Sequence, residues 1–298
     1  MGLDNTNAKF PIILAHGIAR FDFLVHNFTR NLALFNFNSN FAADELHYFK
    51  GIARHLRNHG FDVYESSVGF ASGVERRAEE LSLEVRRVLE WRGAEKAHII
   101  GHSMGGLDAR HMIVRHDMSE RVASLTTVGT PHLGTTLADL RLAEGGGEEL
   151  IELLNNVIDL HGFHDLTTEV CQRFNDSARN TEAENSVVYQ TYASAEDRRL
   201  IFTPLQRAWK VIHEREGDND GLVSLVSQSW QPQLVSDSGK VKTINQHRFP
   251  VPADHLNEIG WWDLNQLRDL DAGTSVFRAA ESYEAKIRDV YLDIARSL

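Results

Sequence analysis

Residues 97–113 of this 298-residue chain read AHIIGHSMGGLDARHMI. Positions 97–100 form an apolar run typical of a buried strand, and positions 104–116 repeat apolar side chains at helical spacing. Between them, residues 101–105 fit the pattern G-x-S-x-G, which by itself arises by chance in about one chain in ten of this length. The strand–turn–helix setting makes the match specific, because the glycines allow a tight turn that lifts Ser103 above the sheet at the helix N-terminus. The stretch therefore predicts a serine nucleophile rather than an ordinary glycine-rich turn, and without Gly-Lys-Ser/Thr it is not a P-loop.

The rest of the chain alternates short apolar runs with amphipathic segments. The predicted strands cover residues 11–15, 61–64, 97–100, 122–128 and 186–192, and the predicted helices cover residues 43–59, 74–91, 104–116 and 275–296. Strands separated by helices form βαβ units, so we expect an α/β fold with a mostly parallel, doubly wound sheet. No stretch is long enough to be a domain linker, which predicts a single domain over residues 1–298. In such sheets ligands bind at the carboxyl ends of the strands, where Ser103 is expected.

The composition excludes several classes of protein. The chain has 31 basic and 42 acidic side chains, a net charge of −11, which argues against binding nucleic acid or an anionic membrane surface. Its single cysteine, Cys171, cannot form an intramolecular disulfide and excludes CxxC-type zinc sites. No apolar run reaches the ~18–20 residues that span a bilayer, and residues 1–5 lack the features of a signal peptide. These features predict a soluble, cytoplasmic protein, and export after removal of a leader stays open.

A serine nucleophile needs a base, and the base needs a carboxylate that orients it. On scaffolds of this kind the chain order is serine, then acid, then histidine. Beyond Asp220 the sequence has two histidines, His247 and His255. We favour His255, because it precedes an amphipathic segment, as expected for a loop after the last strand. His247 lies in a stretch with the pattern of an exposed strand or loop.

The acid is expected at Asp220, within the run DNDGLVS at residues 218–224. A carboxylate in a turn ahead of an apolar pair can point into a site at the sheet edge. Asp218 is the competing candidate, and a solvated turn closed by an aspartate side chain would explain either residue.

The oxyanion of an acyl-transfer reaction requires two backbone N–H donors. Met104 follows the nucleophile and is the first candidate. The second should come from a loop after an early strand, and His16-Gly17-Ile18-Ala19 directly follows the first predicted strand. Ile18 is therefore the second candidate, and a simple turn with a helix-starting glycine is the alternative.

Five motifs, in this order, make the chain resemble the triacylglycerol lipases of the α/β-hydrolase superfamily, in particular bacterial family I lipases and the mitochondrial lipases of fungi. They are AHGI at 15–18, GHSMGGLDAR at 101–110, GTPHLGT at 129–135, NDGLVS at 219–224 and DHL at 254–256. The resemblance implies an α/β-hydrolase fold with Ser103 as nucleophile, Asp220 as acid and His255 as base. It also supports Ile18 and Met104 as oxyanion donors.

The same resemblance implies a helical lid or cap, which we place at residues 134–180 within the domain. An apolar stripe at residues 149–158 has helical spacing, and the triple glycine at 145–147 would serve as its hinge. A core helix explains the stripe equally well.

The function implied is hydrolysis of acylglycerols or other apolar esters through an acyl-enzyme, without a cofactor, on substrates that can present a lipid–water interface. We predict substrate contacts from His16, Gly17, Phe21 and Phe23. Seven phenylalanines lie within 29 residues and could line an acyl pocket or pack a cap onto the sheet: Phe21, Phe23, Phe28, Phe35, Phe37, Phe41 and Phe49. A carboxylesterase or acyltransferase with the same triad is the rival enzyme, and a non-catalytic module that keeps the fold is the rival of another class. The sequence does not determine the oligomeric state.

No bound metal is predicted. Many relatives hold a structural Ca²⁺ through an acidic residue two positions after the catalytic histidine, where this chain has Asn257. An amide brings no charge to a cation that prefers carboxylates, so we expect no tightly bound calcium. His111 with His116, or His161 with His164, would suggest zinc, but neither pair has a complete ligand set.

Overall fold

The structure is a computed structural model that describes residues 9–18, 47–69, 72–142, 160–262 and 276–298. Its strands are β1 (Ile12–Ala15), β2 (Val63–Glu65), β3 (Ala97–His102), β4 (Val122–Val128), β5 (Val188–Ala193), β6 (Gln233–Val235), β7 (Val241–Thr243) and β8 (Asn245–Arg248). Six of them form one sheet in the order β2-β1-β3-β4-β5-β8, with all neighbours parallel. β6 and β7 pair separately as an antiparallel ribbon.

The strand order creates a switch point between β1 and β3. From β1 the chain crosses to β2 on one side, and it then returns to build β3, β4 and β5 on the other. Ala15 at the end of β1 lies opposite Gly101 near the end of β3, so the loops that follow these two strands emerge side by side. In open α/β sheets this is where ligands bind.

Helices cover both faces of the sheet. Within the described part they are α1 (Ile52–Asn58), α2 (Val74–Arg92), α3 (Met104–Arg115), α4 (Thr136–Leu142), α5 (Thr168–Glu184), α6 (Gln206–Glu216), α7 (Leu225–Ser229) and α8 (Val276–Arg296), with short 3-10 helices at Leu160–Leu166, Thr203–Leu205 and Asn257–Ile259. Alternate residues of β1 enter different cores. Ile12 and Leu14 pack with α1 and α8, whereas Ile13 and Ala15 pack with α2. Burial on both faces explains why β1 is a continuous apolar run.

The predicted α/β fold with a parallel, doubly wound sheet is confirmed, and the five predicted strands are present within two residues at each end. The predicted helix at 43–59 is wrong at its start. Residues 47–51 are not helical, because Gly51 adopts a left-handed φ of 67° and the helix begins at Ile52. Residues 43–46 lie outside the described residues.

The segment predicted as a lid or cap lies partly within the described residues, and its role stays a prediction. Of residues 134–180, the structure describes α4, the 3-10 helix at Leu160–Leu166 and most of α5. The stripe at 149–158 and its glycine hinge lie outside the described residues, as do Phe21 and Phe23. Among the helices that are described, none has the length and apolarity needed to cross a membrane.

Candidate active site

Ser103 occupies a strained turn between β3 and α3. Its φ of 56° and ψ of −132° are unfavourable for a residue with a side chain, so the surroundings must hold the conformation. The Ser103 N–H donates to the Val128 carbonyl at 2.9 Å. The Ser103 carbonyl accepts from the Gly106 N–H at 3.1 Å and from the Thr130 hydroxyl at 2.8 Å. These contacts confirm the predicted strand–turn–helix setting.

Close approach of the backbone explains the glycines around this turn. A Cβ on Gly105 would lie 2.2 Å from the Ala15 carbonyl oxygen, and one on Gly106 would lie 2.2 Å from the Thr130 hydroxyl. A Cβ on Gly17, in the loop after β1, would lie 2.7 Å from the Ser103 Cβ. Gly17 is therefore a spacer that lets the loop approach the serine.

His255 and Asp220 form a buried pair. The His255 Nδ1 donates to Asp220 Oδ2 at 2.7 Å, and its backbone N–H donates to the Asp220 carbonyl at 2.9 Å. With the proton on Nδ1, the Nε2 atom carries a free lone pair, as a general base requires. His255 and Ser103 line the same cavity. The two alternatives lie elsewhere, since Asp218 is exposed and His247 is exposed on β8.

Asp220 is fully buried and accepts four hydrogen bonds. Oδ1 accepts from the backbone N–H groups of Leu222 and Val223 at 2.8 and 2.7 Å. Oδ2 accepts from His255 and also from the Gln228 side chain at 3.0 Å. Gln228 was not predicted, because nothing in its local sequence on α7 marks it. Four donors therefore satisfy both oxygens of this buried carboxylate.

The loop after β1 is anchored by a buried arginine that the sequence analysis also missed. Arg77 on α2 donates to Asp108 Oδ2 at 2.9 Å through Nε and to the His16 carbonyl at 2.6 Å through Nη2. It thereby fixes the peptide between His16 and Gly17, next to Ile18. Burial raises the pKa of Asp108 to about 6, although Arg77 opposes this.

The His16 side chain is buried and is not among the residues that line the cavity, and the substrate contact expected from it stays a prediction. Its Nδ1 lies 2.8 Å from the Gly17 carbonyl, and its ring packs 5.4 Å from the Tyr48 ring. Burial, followed by the charge of Arg77, lowers the pKa of His16 to about 4, so the ring is neutral. Gly17 likewise acts through the space it leaves rather than as part of the cavity wall.

The cavity at the serine is small, with a volume of about 20 Å³, and its walls are mostly apolar. It is lined by Ile18, Ser103, Pro131, Thr135, Phe163, Leu166, Leu222, Val223 and His255. The Thr135 hydroxyl donates to the Leu222 carbonyl at 2.8 Å, so it is already satisfied. Phe163 and Leu166 belong to the segment predicted as lid or cap. Met104, the other predicted oxyanion donor, is fully buried as the first residue of α3.

The GTPHLGT motif has a supporting role. Thr130 holds the serine carbonyl, whereas the buried His132 ring stacks on Trp230 with centroids 4.7 Å apart. Arg110 lies over the same Trp230 ring at 3.8 Å and forms two 2.8 Å hydrogen bonds with Glu182. Burial and the Arg110 charge lower the pKa of His132, so this ring is neutral.

Potential metal ligands converge once among the described residues, where ligand atoms of His102, His255 and Glu258 lie within 4.8 Å of one another. His102 Nε2 lies 3.0 Å from Glu258 Oε2, and His255 Nδ1 lies 2.7 Å from Asp220 Oδ2, so these atoms are engaged in hydrogen bonds. Of the histidine pairs considered for zinc, His111 has its Nδ1 3.3 Å from a Glu75 carboxylate oxygen, and the His161 side chain lies outside the described part of the chain.

Asn257, at the position where relatives carry the acidic calcium ligand, is buried and its amide is engaged. Its Oδ1 accepts from the Asp254 N–H at 3.1 Å, and its Nδ2 donates to the Trp261 carbonyl at 2.7 Å. The neighbouring Asp254 carboxylate accepts three backbone N–H groups, from Phe202, Leu256 and Asn257. The donor set closes this loop without a cation, and the absence of calcium stays a prediction.

A serine on a strained strand–helix turn shares one cavity with a histidine that is bonded to a buried aspartate, which is the arrangement of an α/β hydrolase. Residues 11–145 match the family model of the alpha/beta hydrolase fold. The fold, the site and the relatives together support an ester-hydrolysing enzyme of the lipase type, as the motifs predicted.

Named relatives agree with this assignment. Triacylglycerol lipase 2 of Saccharomyces cerevisiae is 27% identical over 289 residues, which cover 88% of this chain and 82% of the relative. A triacylglycerol lipase of Vibrio cholerae is 35% identical over 136 residues, 45% of this chain but 36% of the relative, so this match spans about a third of that protein. The solved structure of a mature Bacillus licheniformis lipase superposes with a TM-score of 0.60 at 20% identity, covering 86% of this chain and 87% of that one, which supports the fold.

Proposed function

We propose that this enzyme is a serine lipase that cleaves acylglycerols or other apolar esters through an acyl-enzyme on Ser103. The observation that carries the proposal is the shared cavity of Ser103 and His255, with His255 bound at 2.7 Å to a fully buried Asp220. The names of the yeast and bacterial relatives supply the substrate class.

Acylation begins with attack by the serine. His255 Nε2 accepts the Ser103 proton as Oγ attacks the ester carbonyl, and Asp220 stabilises the imidazolium that results. The N–H groups of Ile18 and Met104 receive the oxyanion. Met104 is the first residue of α3, so the partial positive charge of the helix N-terminus adds to its donor.

Acylation ends when the imidazolium gives its proton to the departing alcohol, which leaves the acyl-enzyme. In deacylation, the neutral His255 removes a proton from water. Water attacks the acyl carbonyl in the same oxyanion site, and Ser103 recovers its proton as the fatty acid leaves. Each step needs the tautomer with Nδ1–H directed at Asp220, which is the hydrogen bond observed.

The cavity walls support an apolar acyl group. Of the lining residues that take no part in the proposed chemistry, all but Thr135 are apolar, and the Thr135 hydroxyl is already bonded. Burying a polar substrate group against such walls would leave it without hydrogen-bond partners, which is unfavourable. A neutral acyl chain has no such requirement.

The decisive experiment compares Ser103→Ala with Ser82→Ala on p-nitrophenyl esters. Ser82 is a matched control, because it is a buried serine on α2 whose hydroxyl bonds only the Glu79 carbonyl of its own helix. We expect Ser103→Ala to lose about a thousandfold or more in kcat and all fluorophosphonate labelling, and Ser82→Ala to keep both. Activity that survives Ser103→Ala would refute the nucleophile.

A rate profile over esters from C2 to C16, with and without an emulsion, tests the substrate class. We expect long acyl chains to be favoured and the rate to rise when an emulsion forms. A preference for short soluble esters with no response to emulsion would instead identify a carboxylesterase.

A further inference from the structure

Three buried polar side chains lie behind the catalytic base and take no part in the mechanism above. The Tyr48 hydroxyl is 2.8 Å from His102 Nδ1, and His102 Nε2 is 3.0 Å from Glu258 Oε2. They come from the segment before α1, the end of β3 and the loop after His255. Polar groups this deep are retained only where their hydrogen bonds are made.

The direction of the hydrogen bonds follows from the donors available. One arrangement satisfies both contacts of His102, with the Tyr48 hydroxyl donating its proton to His102 Nδ1. In that arrangement His102 carries its own proton on Nε2, which lies 3.0 Å from Glu258 Oε2. The bonds form one chain from Tyr48, whose ring packs 5.4 Å from the His16 ring of the oxyanion loop, to Glu258 in the loop of the base.

The surroundings of Glu258 disfavour a negative charge on it. Its Oε2 lies 3.9 Å from His255 Nδ1, and its Oε1 is buried with no hydrogen-bond partner in the described part of the chain. Burial, and then the charges of Asp220 and Asp254, raise the pKa of Glu258 well above its usual range. The titratable groups that face it are His102, His255, Asp220, Asp254, Tyr48, Tyr283 and Tyr291.

We infer that Tyr48, His102 and an uncharged Glu258 are positioning residues that hold the catalytic base in register with the oxyanion loop. The inference rests on the proposed triad. The His102 ring also packs against the His255 ring, with centroids 4.6 Å apart, so the same side chain fixes the base by contact and by hydrogen bonds. A neutral Glu258 leaves Asp220 as the one anion that orients the imidazole.

The sharpest test pairs two substitutions of Glu258. Glu258→Gln keeps the shape and an oxygen that can accept from His102, whereas Glu258→Leu removes the link. We expect Gln to keep kcat within about threefold and Leu to lose about 10- to 100-fold in kcat with little change in KM, because small displacements of a base are costly. The rate of fluorophosphonate labelling of Ser103 should fall in parallel.

The pH profile decides the charge of Glu258. If the residue is uncharged, the acidic limb of kcat/KM in Glu258→Gln stays where it is in the parent enzyme. If it is ionised, Gln removes a negative charge 3.9 Å from the imidazole, and the limb moves to lower pH by about one unit or more. Such a shift, or full kcat in Glu258→Leu, would overturn the inference.

Controls separate positioning from folding. His98 also lies on β3 and is buried, and its Nδ1 lies 2.7 Å from the Ser124 hydroxyl. It is at the opposite end of the strand from Ser103, so His98→Leu is the matched control for His102→Leu. We expect the thermal midpoints of both variants to lie above the assay temperature. His102→Leu should then have a lower kcat than the parent enzyme, whereas His98→Leu should keep the kcat of the parent. Should His102→Leu fail to fold, Tyr48→Phe removes one hydroxyl only and should still lower kcat with KM unchanged. Failure of the triad itself is distinct, because the parent enzyme would then not label at Ser103.

Discussion

Replacement of Asp220 by asparagine should invert the tautomer of the catalytic base. Oδ1 accepts two backbone N–H groups, so the amide oxygen keeps that side and the amide nitrogen replaces Oδ2. Two donors, the new amide and His255 Nδ1–H, would then meet at 2.7 Å. The imidazole relieves the conflict by moving its proton to Nε2, the atom that must accept the serine proton.

The expected loss follows from this inversion. An imidazole with Nε2–H cannot act as the base, so we expect kcat of Asp220→Asn to fall about 10³- to 10⁴-fold, or about 4–5.5 kcal/mol in the barrier. KM should change little, since Asp220 does not line the cavity. Initial rates on a p-nitrophenyl ester, with fluorophosphonate labelling as a second readout, measure the effect.

The control for this prediction is two residues away. Asp218→Asn makes the same chemical change at an exposed position and should keep at least about half of the activity. Asp220→Asn within tenfold of the parent enzyme would refute the reasoning, and so would an equal loss in Asp218→Asn. In the first case Glu258, 3.9 Å from Nδ1, would be the carboxylate that still orients the base.

Four further outcomes are expected. Gly17→Ala should lower kcat about 100-fold in steady-state assays, because its Cβ would lie 2.7 Å from the Ser103 Cβ. Arg77→Met should cost about 3–5 kcal/mol in urea unfolding and also lower kcat, since it leaves Asp108 unpaired and frees the His16 carbonyl. Burial raises the pKa of Asp108 to about 6, so the folded state binds more protons than the unfolded state between about pH 4 and 6. The stability that this group contributes is therefore lost as pH rises through that window, and urea titrations should show a flatter dependence in Asp108→Asn. Chelator treatment should leave the thermal midpoint unchanged, and stoichiometric calcium in metal analysis after chelation would contradict this.

Local pattern predicted those elements whose side chains meet a buried surface along their whole length. The predicted strands at 97–100, an apolar run, and at 122–128, rich in β-branched residues, lie in the central sheet, where both faces are covered. The sequence pattern did not predict β8, because all four of its residues are exposed at the edge of the sheet. The sequence pattern did not predict helix α5. Its buried face includes Cys171, Phe174 and Ala178, which are too few and too small to give a clear apolar periodicity.

The site divides in the same way. Ser103 is marked in the sequence by the glycines that its turn needs. Chain order narrows the base to His247 or His255 and leaves Asp218 and Asp220 as candidates for the acid. The choice against Asp218 and His247 required the structure, because burial and the 2.7 Å contact between residues 35 apart are properties of the folded chain. The burial of the His16 side chain is likewise a property of the folded chain, and the substrate contact expected from His16 stays a prediction.

The sequence by itself determined the class of scaffold, the nucleophile and the order of the triad, since periodicity and tight turns are written in neighbouring residues. Only the tertiary structure decided what holds the triad in place. Arg77 reaches the oxyanion loop across 61 positions and Glu258 reaches His102 across 156. Such partners have ordinary local sequences, and their roles arise because folding removes water and leaves each buried polar group to find its partner within the protein.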